Sequence, residues 1–310
     1  MNDASSQKNL AIVVPTLNPG RLAGLFVAAL CNQSNWPMPL LVIDSSSDDG
    51  SPERFAQVGA RILQIPRAEF DHGGTRQLAI DASPGSDVIV FLTQDAILAD
   101  ARAISALLAA FDDPAVGMAY GRQLPHPDAG PFGAFARRFN YPEQSVVRSI
   151  SDGSRYGLKT IFVSNSFAAY RRSALQAVGG FPSNTIFGED TIVAARMLMA
   201  GLKVAYVAEA CVYHSHDYTL ADEFRRYFDI GVLHSRESWL RATFGQAEGE
   251  GGRYVRAELR YLREHAPWLI PVAFLRNGLK YFGYRLGMLE RHLPIGLKRR
   301  ISMHRRYWST

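Results

Sequence analysis

The sequence predicts an α/β protein: a mostly parallel sheet flanked by helices, followed by a helical C-terminal extension. Three observations carry this reading. Short apolar runs recur at residues 10–14 (LAIVV), 40–43 (LLVI), 61–65 (RILQI) and 88–92 (VIVFL). They are too short for helices and, for the most part, too uniformly apolar for one-faced strands, the pattern of strands buried on both faces. Stretches of helical spacing separate them, which indicates parallel strands joined by crossover helices. From about residue 220 the spacing is mainly helical, so residues 1–218 read as the sheet domain and 219–310 as a helical region.

Each element has its own punctuation. The first strand closes in Pro15-Thr16-Leu17-Asn18-Pro19-Gly20, and helical spacing follows over 21–33. The second ends in Asp44-Ser45-Ser46-Ser47-Asp48-Asp49-Gly50, an Asx-type turn signal, before a short helix near 52–58. After the third come Phe70-Asp71-His72-Gly73-Gly74-Thr75-Arg76 and a helix through Ala82. The fourth, residues 88–92, stops at Thr93-Gln94-Asp95, with a helix over 101–111 and a fifth strand over 116–120. The alternation then lapses: residues 123–160 are rich in Pro, Gly, Arg and aromatics without a sustained period, the mark of a functional or mobile loop. Structure resumes over 161–170, then a helical stretch at 171–178 stopped by Gly179-Gly180. Phe187-Gly188-Glu189-Asp190 opens a helix over 191–200 with Ile192, Ala195, Arg196 and Met199 on one face, closed by Gly201. Residues 203–207 and 210–213 are strand-like and lead into His214-Ser215-His216. Helices are expected over 221–244, 254–265 and 269–289, with a Gly/Glu linker at 246–252.

Composition bounds the class. At 310 residues, 47% hydrophobic and 20% charged, the chain is an ordinary globular sequence and not a disordered one. Its two cysteines, Cys31 and Cys211, lack metal-type spacing or a disulfide framework, which fits a reducing cytoplasm. The opening MNDASSQKNL has no apolar signal region, and no run reaches the roughly 18 apolar residues of a membrane span. Net charge is +5, and no acidic residue follows Glu290, whereas Arg291, Lys298, Arg299, Arg300, Arg305 and Arg306 do. Such a segment can meet nucleic acid, anionic lipid or water. No nucleic-acid motif accompanies it, so nucleic acid is not an expected partner. The mixed apolar and basic residues over 269–306 suit either packing or an interfacial helix on an anionic membrane.

Four features sit where the strand-end loops of an open α/β sheet converge on a ligand: Pro15-Thr16 with Asn18, Asp44, Asp95, and Glu189-Asp190. Each alone has a plain explanation as a cap or turn. Together and in this order they resemble the family 2 inverting glycosyltransferases over roughly residues 10–216. The resemblance implies the GT-A nucleotide-diphospho-sugar transferase fold. It implies nucleotide-base and ribose contacts at Pro15, Thr16 and Asp44, with Asn18 and Gln94 in the same donor-binding set. Asp95 matches the last acid of the DxD metal motif, and Thr93 stands in place of the first, so one carboxylate ligand is missing. His214 matches the histidine that completes the metal–diphosphate site, with His216 beside it. A divalent cation, Mg2+ or Mn2+, is the implied cofactor, and imidazole suits Mn2+ better.

Residues 70–76 are similar to the F-x-H-G-G-T-R-N stretch of bacterial rhamnosyltransferases, with Gln77 replacing the usual Asn. The TQDA form at 93–96, the HSH at 214–216 and the tail ISMHRRYW at 301–308 point to the same subgroup. The donor implied is dTDP-L-rhamnose. The acceptor implied is a glycan, lipid-linked if the basic end meets the inner face of the cell membrane. In chemical terms His72, Gly73 and Gly74 would let backbone N–H groups approach an anion at a helix start, and Arg76 would add a phosphate-matching fork. Asp190 resembles the family's catalytic base, with Glu189 orienting the acceptor, since a sugar hydroxyl must lose its proton as the bond forms. Two other readings stay open: a different donor such as a UDP-sugar, and nucleotide-sugar binding without turnover. A dinucleotide oxidoreductase is not expected, because no G-x-G-x-x-G follows the first strand.

Overall fold

In the computed structural model, residues 9–245 and 249–309 are described. Nine strands form one sheet: β1 (Leu10–Thr16), β2 (Leu40–Asp44), β3 (Arg61–Gln64), β4 (Val88–Leu92), β5 (Ile97–Leu98), β6 (Val116–Leu124), β7 (Val146–Arg148), β8 (Phe167–Arg171) and β9 (Lys203–Tyr213). Their order is β3-β2-β1-β4-β8-β6-β9-β5, with β7 also on β9. The β3-β2-β1-β4 half is parallel, while β8 runs antiparallel to both neighbours. The predicted α/β class holds, and the wholly apolar runs β2 and β4 are buried along their full length. The exception explains itself: β3, whose ends are Arg61 and Gln64, is the polar-tipped edge.

Period-two alternation divides the core between the two faces. Val13, Ile43 and Phe91 pack with the helices His72–Asp81 and Glu189–Met199. Ile12, Val14 and Val90 pack with the helices Arg21–Cys31 and Ala103–Ala109 through Phe26, Leu30, Ile104 and Leu107. The first of these layers also takes in Phe228, Val232, Leu240, Phe244 and Trp308. The C-terminal helices therefore share the core on this face of the sheet.

Sequence and structure part in four places. Residues 123–160 are not one loop: β6 runs on to Leu124, and the helix Pro131–Asn140 and β7 follow. That helix is short and marginal alone. Its Phe135 packs on Tyr254 and Tyr261, more than a hundred residues ahead. Residues 203–213 form one strand, with an irregularity against β6 between Gly121 and Arg122. The expected helix 221–244 is broken at Glu237 into Leu220–Arg236 and Ser238–Phe244. Of the expected linker, residues 246–248 lie outside the described residues, and Glu250, Gly251 and Gly252 already belong to the helix Glu250–His265.

The helices Leu220–Arg236 and Ile270–Met288 touch backbone to backbone. A Cβ on Gly287 would lie 2.0 Å from the Phe228 carbonyl oxygen, and one on Gly231 would lie 2.3 Å from that of Tyr284. Only glycine permits this approach. Among the described residues no helix is long and apolar enough to cross a membrane.

Candidate functional site

The carboxyl ends of β1, β2 and β4 meet in a loop cluster whose backbone is held by side chains. The Thr16 hydroxyl donates to Asp44 Oδ1 at 3.2 Å, and the Ser47 N–H donates to Asp44 Oδ2 at 2.9 Å; Asp44 itself is fully buried. Pro15 is half-buried in register with Ile43. Asn18, at φ 46°, accepts from the Asp48 N–H while its own N–H donates to Ser47 Oγ. Asn tolerates this left-handed conformation because its side chain bonds locally. Gln94 grips the same loop at both ends of its amide, accepting from Leu17 N at 2.7 Å and donating to Leu17 O at 3.1 Å. Three separated segments thus form one rim.

Beyond β4, Asp95, His214 and His216 bring one ligand atom each within 4.8 Å of one another. Asp95 Oδ2 lies 3.4 Å from His214 Nε2 and 3.7 Å from His216 Nε2. Gln123 fixes the His214 ring. Its Nε2 donates to Ser164 Oγ, so its Oε1 is the acceptor for both Arg137 Nη1 (2.8 Å) and His214 Nδ1 (2.9 Å). Burial lowers both histidines, His216 to about 4, where its neighbour His214 adds to the effect. Burial pushes Asp95 up, but His214, Thr93 and His216 outweigh it and hold the carboxyl well below its usual range. At neutral pH the Nε2 lone pair of His214 therefore faces an ionised carboxylate oxygen, which a cation between them would reconcile. A buried imidazole oriented by an amide is the usual preparation of a metal ligand. The N,N,O donor set fits Mn2+. His216 is a full member of the cluster; its signal was the H-x-H spacing, which puts both rings on one side of an extended segment.

The second cluster opens the helix Glu189–Met199. Gly188 precedes it in the left-handed conformation, where a Cβ would strike Leu233. Asp190 Oδ2 accepts from the Asn165 N–H at 3.0 Å, and Oδ1 from the Thr191 N–H at 2.7 Å. Glu189 Oε1 takes Arg76 Nη1 at 3.0 Å and Asn165 Nδ2 at 3.0 Å. Tyr170 OH closes the network on Asn165 Oδ1 at 2.6 Å. Burial pushes Glu189 up, but Arg76, His72 and Asn165 outweigh it and hold it ionised. Asp190 moves the other way, raised by burial and by the Glu189 charge. Asn165, which orders both acids, carried no motif and was not singled out from sequence.

Two expectations for residues 72–76 are corrected here. Arg76 is no free phosphate fork: its side chain is 6% exposed, paired with Glu189 and donating to the His72 carbonyl. The glycines are not an open anion nest either, because Asp71 caps the helix by accepting from the Gly74 N–H at 2.6 Å. Gly73 is required for another reason: a Cβ there would lie 1.7 Å from the Pro182 carbonyl oxygen. His72 remains half-buried beside the Glu189 network, its ring 5.2 Å from that of His304.

His304 arrives from the far end of the chain. The buried Asp229 accepts from the Met303 N–H at 2.9 Å, Trp308 is buried, and the Arg306 guanidinium reaches the Arg67 carbonyl. The ISMHRRYW segment is therefore folded onto the His72–Glu189 side, with His304 stacked on Phe187.

With this geometry in view, the comparisons decide the family. The description "Glycosyl transferase family group 2" matches residues 88–288, from β4 to the end of the long C-terminal helix. The chain belongs to this family. It is a glycosyltransferase. It is 46% identical over 301 residues to the O-antigen chain rhamnosyltransferase RfbN of Salmonella typhimurium, covering 97% of this chain and 96% of that one. The O-antigen chain rhamnosyltransferase WbaN of Salmonella anatum is 45% identical with the same coverage. Among solved structures, the mannosyltransferase PcManGT from Pyrobaculum calidifontis, in complex with GDP-Man and Mn2+, superposes with TM-score 0.58 at 18% identity, over 98% of this chain and 86% of that one. TarS 1–349 of S. aureus, in complex with UDP-GlcNAc, gives 0.52 at 13% identity over 91% of each chain. These likenesses show the fold, and the expected GT-A architecture with its helical extension holds.

The inward Arg76 has a measurable consequence. Arg76→Met leaves Glu189 buried without its cation, which costs about 3–5 kcal/mol in comparable buried pairs. Urea denaturation of the variant is expected to show a loss of that size without any ligand present. A surface or purely phosphate-facing Arg76 would show no such loss.

Proposed function

We propose that the protein transfers an L-rhamnosyl group from dTDP-L-rhamnose to a hydroxyl of a glycan acceptor, inverting the anomeric carbon. The observation that carries this reading is the near-full-length identity of 45–46% to two O-antigen chain rhamnosyltransferases. A rim that could receive a nucleoside, formed by Pro15, Thr16, Asn18, Asp44 and Gln94, supports it. So does a hydrogen-bonded acid at a helix start.

In this reading the acceptor oxygen bonds to the anomeric carbon as the bond from that carbon to the diphosphate oxygen breaks. The electron pair leaves with the dTDP, and the hydroxyl proton passes to Asp190. Raising the pKa of a carboxylic acid toward neutrality makes its carboxylate a stronger base, and the Asp190 pKa is raised by burial and Glu189. Glu189, held by Arg76 and Asn165, fixes the direction of its neighbour. A divalent cation on Asp95, His214 and His216 would supply positive charge against the diphosphate.

The acceptor end brings a membrane into the reading. Trp268, Leu275, Phe282 and Leu289 recur every seven residues along the helix Ile270–Met288 and its flanks, and Phe274 and Tyr281 lie beside them; all are exposed, Trp268 by 72%. Arg285, Arg291, Arg299 and Arg300 are exposed on the same region of the chain. An apolar row with a cationic border suits the surface of an anionic bilayer. This row, and not the docked segment 302–308, is the part that supports contact with a lipid-linked acceptor.

Three outcomes are expected. Ligands that bind only the folded state raise its melting temperature, so dTDP and dTDP-L-rhamnose should raise it more than UDP- or GDP-sugars do, and chelator should remove much of the shift. A larger shift with a UDP-sugar would move the assignment to that donor. Asp190→Asn should cut turnover by at least about 10²-fold while donor affinity stays near wild type. In the wild type, activity should rise with pH as Asp190 loses its proton, and the raised Asp190 puts that acid limb above the range of an ordinary aspartate; an unshifted limb, or near-normal turnover in the variant, would refute the base. Finally, Leu275→Glu with Phe282→Glu should weaken binding to phosphatidylglycerol vesicles in a flotation assay and leave turnover on a soluble acceptor unchanged.

A further inference from the structure

The departing nucleoside diphosphate gains negative charge as its bond to the sugar breaks, and a preformed cation there stabilises the transition state. The sequence suggested Arg76 for this place, but that guanidinium is buried on Glu189. Two other arginines act electrostatically on His216 of the Asp95–His214–His216 cluster, Arg137 and Arg226. Arg137 is engaged: its Nη1 donates to Gln123 Oε1 at 2.8 Å and so helps to orient His214.

Arg226 is different. It is exposed, on the helix Leu220–Arg236, and its guanidinium lies 5.7 Å over the Tyr218 ring. Tyr218 in turn stacks on His216 at 5.4 Å, and its carbonyl is held by Arg276 Nη2 at 2.8 Å. The helix start beneath is fixed by a capping box at Thr219 and Asp222. Arg226 also acts electrostatically on His304 and Asp229. Among the described residues it has no ion-pair or hydrogen-bond partner, whereas its neighbour Arg225 is paired with Asp222 at 3.6 Å. A cation resting on an aromatic ring, one stacked ring away from the cluster and without a salt-bridge partner among the described residues, is prepared for an anionic ligand.

We propose that Arg226 binds the diphosphate of the nucleotide sugar from the Tyr218 side of the cluster. The proposal rests on the glycosyltransferase reading above and names a residue for it that carried no motif. The ligand class is a nucleoside diphosphate, recognised through its phosphate oxygens. Lysine should substitute only in part, because it keeps the charge and loses the planar fork.

The test is calorimetric titration of dTDP and dTMP into the wild-type chain, Arg226→Gln, Arg226→Lys and Arg225→Gln, each with Mn2+ and with chelator. A charge-assisted hydrogen bond is worth a factor of about ten or more in affinity. Arg226→Gln should therefore bind dTDP at least about ten-fold more weakly, with Arg226→Lys intermediate. Binding of dTMP, which lacks the second phosphate, should change less. Arg225→Gln should bind like the wild type, and the melting temperatures of all four unliganded proteins should lie close together, since the Arg226–Tyr218 contact and the Arg225–Asp222 pair are both solvent-accessible and weak. Equal dTDP affinity in the wild type and Arg226→Gln would overturn the proposal, as would an equal loss in Arg225→Gln, which would mark a diffuse field. Failure of the wild type to bind any nucleoside diphosphate would overturn the glycosyltransferase reading and this proposal with it.

Discussion

The buried pair of Arg76 and Glu189 is the constraint on which the site depends. Two charges withdrawn from water stabilise a protein only when geometry and further hydrogen bonds satisfy them. Here the Asn165 amide and the His72 carbonyl do so. These partners come from three separated stretches, so the network forms only when the sheet and two of its helices are already in register. Once formed, it fixes a negative charge beside Asp190 that cannot relax away. Asp190 therefore responds as a carboxylate next to an immovable anion, and its basicity is a property of the fold.

The same economy joins Asp190 to the histidine cluster. Three consecutive residues before β8 connect them: Ser164 accepts from the Gln123 amide that orients His214, Asn165 orders both acids, and Ser166 Oγ lies 3.5 Å from His214 Nε2. β8 pairs antiparallel with β4, whose end carries Asp95, so the sheet itself sets the distance between the two clusters. A rearrangement of either cluster would have to be transmitted through this segment. The C-terminal helices Leu220–Arg236 and Ile270–Met288 are themselves brought together backbone to backbone by Gly231, Gly283 and Gly287.

The extent to which all this was legible in the sequence follows from the range of the forces involved. Strands β1, β2 and β4 declared themselves because burial on both faces demands continuous apolar residues. Asp95, Asp190 and the two histidines could be found because strand ends and helix starts put chemistry at predictable positions. The helix Pro131–Asn140 was hidden because its Phe135 is satisfied by Tyr254 and Tyr261, contacts that no local window contains. Asn165 was hidden for a related reason: its importance lies in three partners, Tyr170 and the distant Glu189 and Asp190, and an isolated Asn advertises none of them. The HGGTR stretch was legible as a motif and misread in its physics. Gly73 answers to a carbonyl of residue 182, and Arg76 to a carboxylate of residue 189.

That misreading points to a division of labour among the arginines. A residue that must hold a catalytic acid in one direction benefits from burial, because low dielectric strengthens the pair and packing removes alternatives. A residue that must receive and release a charged ligand needs the opposite: water access, no resident counter-charge, and an orientation set by something weaker than an ion pair. Arg76 meets the first description, at 6% side-chain exposure and 3.0 Å from Glu189. Arg226 meets the second, exposed and resting on Tyr218. Neither could exchange roles with the other, since an exposed Glu189 partner would let the acid swing and a buried phosphate ligand would bar the diphosphate from leaving. The two arginines thus stand in contrasting surroundings, one buried on a carboxylate and one exposed on an aromatic ring. Two helices supply them, His72–Asp81 from the sheet domain and Leu220–Arg236 from the helical extension.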